Sequence, residues 1–86
     1  MPRFYFDVRE GTRFASDEVG LEFDSLGKAE HEAACMAAEI GRDRLPTGDS
    51  RAITVEVRNE HRQRVLTITV SMQVDRVAPP PQPPRT

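Results

Sequence analysis

The sequence predicts an α+β domain in which a four-stranded antiparallel sheet, in the order β-β-α-β-β, carries one helix across one face. Three observations predict it. Ser25 to Leu45 is the only stretch long and regular enough for a helix. Period-2 runs of apolar residues stand before and after that stretch. The apolar arc of the helix and one face of each run need each other to leave water.

The helix is justified by spacing. At 100° per residue, Leu26, Ala29, Ala33, Met36, Ala37 and Ile40 fall within one arc, which is the stripe of a helix packed on something apolar. Asp24 and Ser25 both suit the N-cap, because either side-chain oxygen can accept from a free first-turn N–H. Pro46 closes the other end, and Arg42 and Arg44 sit where the helix dipole favours cations. A second arc holds Gly27, Ala34, Ala38 and Gly41, with Leu45 at its end. Small residues along one side admit close approach, so this arc is the expected self-association face. Its plainer reading is that alanine is simply a good helix former.

Phe4, Phe6 and Val8 alternate with Tyr5, Asp7 and Arg9, which reads as a strand with one buried face in the middle of the sheet. Glu10-Gly11-Thr12 is a turn. Val19, Leu21 and Phe23 give the second strand, Phe14 is expected under the sheet edge, and Asp17-Glu18-Val19-Gly20 carries the chemistry of a turn, bulge or tight corner. Ile53, Val55 and Val57 form the third strand, and Leu66, Ile68, Val70 and Met72 the fourth, joined by a polar connection over Asn59 to Gln63. Preference for antiparallel neighbours gives the strand order 2-1-3-4; the alternative sets the fourth strand beside the first and parallel to it. Domain organisation follows as one domain over residues 1–74 and a Pro-rich tail over 75–86 that cannot build a core.

With 37% hydrophobic and 30% charged residues, the composition is that of one small soluble domain. A domain of about 74 residues buries only about 60% of its unfolded surface, so it gains from self-association. One cysteine excludes an intrachain disulfide and fits a reducing cytoplasm. The net charge of −2 lacks the strongly basic face of a nucleic-acid binder, so nucleic acid is not an expected partner. No apolar run is long enough for a membrane span, and no apolar signal core follows the first charges.

His31 and Cys35 stand four apart on the helix, the spacing of two zinc ligands, but no third ligand is assignable. Both project opposite the core stripe, which makes Cys35 an exposed, candidate reactive thiol near Lys28 and Arg42 rather than part of a metal site. Asp17 and Glu18 point in opposite directions on an extended segment and do not form an acid/base pair. No nucleophile triad, phosphate loop or cofactor motif is present, and no enzyme activity or cofactor is expected. The outer sheet face, with Arg3, Tyr5, Asp7, Arg9, Thr54, Glu56, Arg58, Thr67, Thr69 and Ser71, reads as a solvated surface. Pro80 to Arg85 has the spacing of a proline-rich recognition segment.

Pro2 to Arg9, Asp17 to Phe23, the Ala/Glu-rich helix and Ile53 to Val57 together resemble a family of short uncharacterised bacterial proteins, common in rhizobia and related soil bacteria. The resemblance spans residues 2 to 72. Where that family has an acidic pair and a glycine in its second hairpin, this chain has Asn59-Glu60-His61-Arg62, which implies a longer turn. The family is a domain of unknown function with no catalytic residues to carry over; the resemblance implies the fold and a bacterial cytoplasmic setting. The functional expectation is a non-enzymatic interaction module that self-associates as a homodimer or meets an unidentified protein partner. The alternative is an antitoxin-like regulatory protein that binds a partner protein or nucleic acid.

Overall fold

The alternation that begins at Phe4 is realised in a strand that pairs with three others, and a computed structural model describes residues 1–79 around it. Strand β1 spans Arg3–Glu10, β2 Arg13–Ala15 and β3 Leu21–Glu22; helix α1 spans Leu26–Arg44, β4 Ala52–Arg58 and β5 Arg64–Ser71. All pairings are antiparallel, and the main path of the sheet runs β2-β1-β4-β5 with β3 also on β1. One helix and one antiparallel sheet are as the sequence predicts. The sheet differs in having five strands rather than four.

The difference lies in the second strand. The strand expected over Val19, Leu21 and Phe23 is cut down to β3, against Arg3 and Phe4, and an additional short strand, β2, forms in the connection before it, against Val8–Glu10. Residues 16–20 leave the ladder between them. Val19 and Leu21 are exposed in consequence, and Phe14 lies in β2 on the outer face rather than beneath the edge. Pairing of β1 with β4 in the register Phe6↔Val57 and Val8↔Val55 sets the apolar sides of the two strands together.

Ile53, Val55 and Val57 are completely buried; each contributes about 1.5–3 kcal/mol of transfer free energy. They are covered by α1, which lies over β4 and β5. The arc that faces them is the expected one turned toward its small residues and extended to Gly41. Ala29, Ala33, Ala37 and Gly41 are the buried helical residues, Met36 and Ile40 are half-buried, and Leu26 is 45% exposed. The reason is steric. A row of small residues at i, i+4 lets the helix sit low on the sheet, whereas centring on Met36 and Ile40 would hold it away. Gly41 shows how close this is, because a Cβ there would stand 3.3 Å from Val70 Cγ1 and 3.2 Å from Leu45 Cδ1. Phe23 wedges the helix entrance against β1, its ring 6.0 Å from that of Phe6 and 6.5 Å from that of Phe4.

Ser25 is the N-cap, its hydroxyl accepting from Lys28 N–H at 3.2 Å, while Asp24 instead pairs with Lys28 Nζ at 2.9 Å. Met72–Pro79 forms neither helix nor strand. The polyproline reading of the end of the tail and the Pro80–Arg85 recognition spacing lie outside the described residues. The low seat of the helix gives a paired expectation. Ala33→Leu destabilises by about 1–3 kcal/mol through overpacking, whereas Glu39→Leu, on an exposed position away from β5, stays within about 0.5 kcal/mol. Urea unfolding of both variants against wild type measures this.

Candidate functional site

An edge strand with backbone groups unpaired is costly if buried and adhesive if exposed. The two edges of this sheet meet that constraint differently, and the outer face explains why.

On the β1 edge, the gap between β2 and β3 leaves Tyr5–Asp7 without a strand partner on the side away from β4. The gap is closed by a side chain. Asp17 Oδ2 accepts from Phe6 N–H at 3.1 Å, and its Oδ1 accepts from Val19 and Gly20 N–H at 3.0 Å each. Asp7 returns the contact, its Oδ1 accepting from Asp17 N–H at 2.9 Å and from the Ser16 hydroxyl at 3.4 Å. Arg58 completes the clasp: Nε donates to Asp7 Oδ2 at 2.6 Å, and Nη2 donates to Asp7 Oδ1 and to the Asp17 carbonyl at 3.1 Å each. Gly20 turns the chain back at φ +75, where a Cβ would lie 2.8 Å from the Phe4 carbonyl oxygen.

The outer face is therefore not the solvated surface expected from the alternation. Asp7 is 4% and Glu56 6% exposed, although among the described residues no second layer covers them, and they are direct cross-strand partners. Two carboxylates opposed in this way repel unless each is neutralised. Arg58 serves Asp7, while Glu56 is held between Arg9 at 3.5 Å and Arg64 at 2.9 Å. The arginines in turn lie on aromatics, Arg9 over Phe14 at 4.6 Å and Arg58 over Tyr5 at 5.1 Å. The acids are hidden and the exposed layer is arginine, aromatic ring and threonine.

Burial pushes the Asp7 carboxyl up, but the Arg58 hydrogen bonds and charge and the Asp17 and Ser16 donors outweigh it and hold the group below its ordinary value. Burial also pushes Asp17 up, and the Gly20, Phe6 and Val19 amides hold it below its ordinary value. The lone pairs of these carboxylates are turned inward to the loop and to Arg58. A second tie closes the far end of the sheet: Glu10 accepts from Arg44 Nε at 2.8 Å and from the Ser50 hydroxyl, beside an open concavity of about 770 Å³.

The β5 edge has none of this. Along Val65–Ser71 there is no charged residue and no proline, and among the described residues no strand pairs its outer side. Its inward residues Leu66, Ile68 and Val70 are only half-buried, because the helix reaches β5 without covering it.

The residues singled out by sequence are distributed as follows. Gly41 and Leu45 are buried within the chain's own core, Ala34 is half-buried, and Gly27 and Ala38 are exposed. Since Gly41 meets Val70, this ridge lies on the β5 side of the helix. Cys35 is exposed, its Sγ 3.7 Å from His31 Nε2. Among the described residues no group of three ligand-type side chains gathers around them. Sequence reasoning missed Asp17 as the organising carboxylate. The signal was Asp17-x-x-Gly20, an Asp accepting from amides two and three residues on, but which strand donates the further N–H is not written locally.

The fold and this arrangement define a small α+β domain with one helix seated on an antiparallel sheet and one sheet edge left open. A family model described as a domain of unknown function (DUF6894) matches residues 3–71, and the chain belongs to that family. Comparison with curated proteins and with solved structures gives no match. No helix among the described residues is long and apolar enough to cross a membrane.

Two expectations follow from the clasp. Asp17→Ala leaves the Phe6 N–H without its acceptor and costs about 1–3 kcal/mol by urea unfolding at neutral pH. Both carboxyls have folded values below the unfolded one near 3.8. Their contribution is therefore complete above that value and lost as pH falls below it through the depressed folded values. Unfolding titrations from pH 6 to pH 2 should show stability falling over this window, with a shallower fall in Asp17→Asn.

Proposed function

We propose that this chain is a small non-enzymatic interaction module that works as a homodimer in the bacterial cytoplasm. The cytoplasmic setting rests on the family resemblance and the single unpaired cysteine. The observation that carries the reading is the contrast between the two sheet edges. Proteins blunt edges with short strands, bulges, charges or proline. The β1 edge is blunted in this way by short β2 and β3 and by the Asp17 clasp. The eight residues of β5 carry a charge only at Arg64. An uncharged, half-buried edge on a domain this small suits a surface covered in use, and a second copy is always at hand.

The antitoxin-like alternative is favoured by a separate observation, the arginine layer over buried Asp7 and Glu56 with Tyr5 and Phe14 beside it. It predicts retention on single-stranded oligonucleotides that weakens steeply with salt. Salt-insensitive or absent retention removes it.

Size-exclusion chromatography with light scattering tests the main reading. The expected result is twice the chain mass at micromolar concentration, and a strict monomer at high micromolar concentration overturns it. Thr67→Lys/Thr69→Lys, at exposed positions of β5, should give a folded monomer by circular dichroism and scattering.

A further inference from the structure

Resting on the self-association reading, we infer that two copies join by antiparallel pairing of β5 with β5 about a two-fold axis through Ile68, giving one continuous sheet with both helices on the same face. Three features of the chain point to this seam and to a second copy as its occupant.

The strand is complementary to itself in one register. An isologous contact requires residue i to meet j and j to meet i. Residues directly opposite on antiparallel strands share a face, so the axis must pass through a residue rather than between two, or every apolar side chain would oppose a polar one. Centring on Ile68 pairs Ile68 with itself, Leu66 with Val70, Thr67 with Thr69 and Val65 with Ser71. This uses the whole uncharged segment and leaves Arg64 beyond it. Centring on Thr67 instead sets Arg64 opposite Val70.

The helix stands where this seam needs it. Because α1 lies over β4 and β5, and strands are about 4.8 Å apart, two helices related by the axis stand about 10 Å apart. That is the separation at which helices pack when the residues between them are small. Had the helix been centred over β1 and β4, the two would be too far apart to touch, and the apolar face of both β5 strands would stay open.

The residues between the helices are small. Val70 lies beneath Gly41. Counting back at about 1.5 Å per helical residue and about 3.3 Å per strand residue puts Ile68 beneath the stretch from Ala34 to Ala38. These two residues, half-buried and exposed in the single chain, straddle the axis and face their counterparts. The half-buried Leu66, Ile68 and Val70 of both copies are then roofed by two helices.

Disulfide mapping tests the register. In a Cys35→Ser background, single cysteines are placed at Leu66, Thr67, Ile68 and Val70 and oxidised at a concentration where scattering reports a dimer. Only residues within about 7 Å between Cα atoms can bridge, so Ile68→Cys should form at least roughly tenfold more covalent dimer than the other three. A dimer by scattering with the strongest bridge at another position, or with none, overturns the register and leaves self-association standing. A monomer by scattering overturns both. Should Ile68→Cys lose its fold by circular dichroism, the outward pair Thr67→Cys/Thr69→Cys reads the same seam. Each chain then donates both partners, and failure to form a doubly bridged dimer overturns the inference.

Discussion

The close seat of α1 on β4 and β5 is the constraint from which the remaining features follow. It depends on Ala29, Ala33, Ala37 and Gly41 standing in one row at the interface, with no side chain larger than a methyl to prop the helix up. A low helix buries Ile53, Val55 and Val57 completely. It cannot also be wide, and the price of closeness is coverage. The helix roofs the middle of the sheet, leaves Leu66, Ile68 and Val70 half-covered, and requires Phe23 to finish the core over Phe4 and Phe6.

The outer face solves a separate problem. With no second layer among the described residues, a sheet this small would have its back in water, yet Asp7 and Glu56 are nearly as buried as the core. Their cover is made of side chains. Arginine suits this role because its long stem lies along the sheet while its planar head bonds a carboxylate and stacks on a ring. Arg58 does all three, reaching Asp7, the Asp17 carbonyl and the face of Tyr5. The net contribution of such an ion pair is modest, but its directional bonds fix where the 16–20 loop crosses, and with it the gap between β2 and β3.

These two solutions leave the molecule asymmetric. One edge is closed by short strands and by a carboxylate that takes the place of a strand's carbonyl. The other is long, charged only at Arg64, and half-roofed. The small-residue ridge of the helix, divided between Gly41 and Leu45 in the core and Gly27, Ala34 and Ala38 outside it, runs beside the open edge. Helix and edge thus present a single surface.

What the sequence by itself determined is what local periodicity encodes. The helix between Ser25 and Pro46, the buried faces of the strands at Phe4–Val8, Ile53–Val57 and Leu66–Val70, and the class of fold all follow from spacings of 3.6 and 2. Each residue's side is set by its near neighbours. Tertiary structure decided how the helix was turned on the sheet, because two neighbouring apolar arcs existed and only contact with Val55, Val57 and Val70 could set the meeting row at Ala29, Ala33, Ala37 and Gly41, drawn from both. It also decided that Asp7 and Glu56 would be buried, since their cover comes from Arg58 and Arg64, far along the chain from Asp7. It cut the second strand down to β3 as well, because the Asp17 carboxylate finds the Phe6 N–H only once β1 and the loop lie side by side. Alternation tells which way a side chain points, but not what another part of the chain will lay across it.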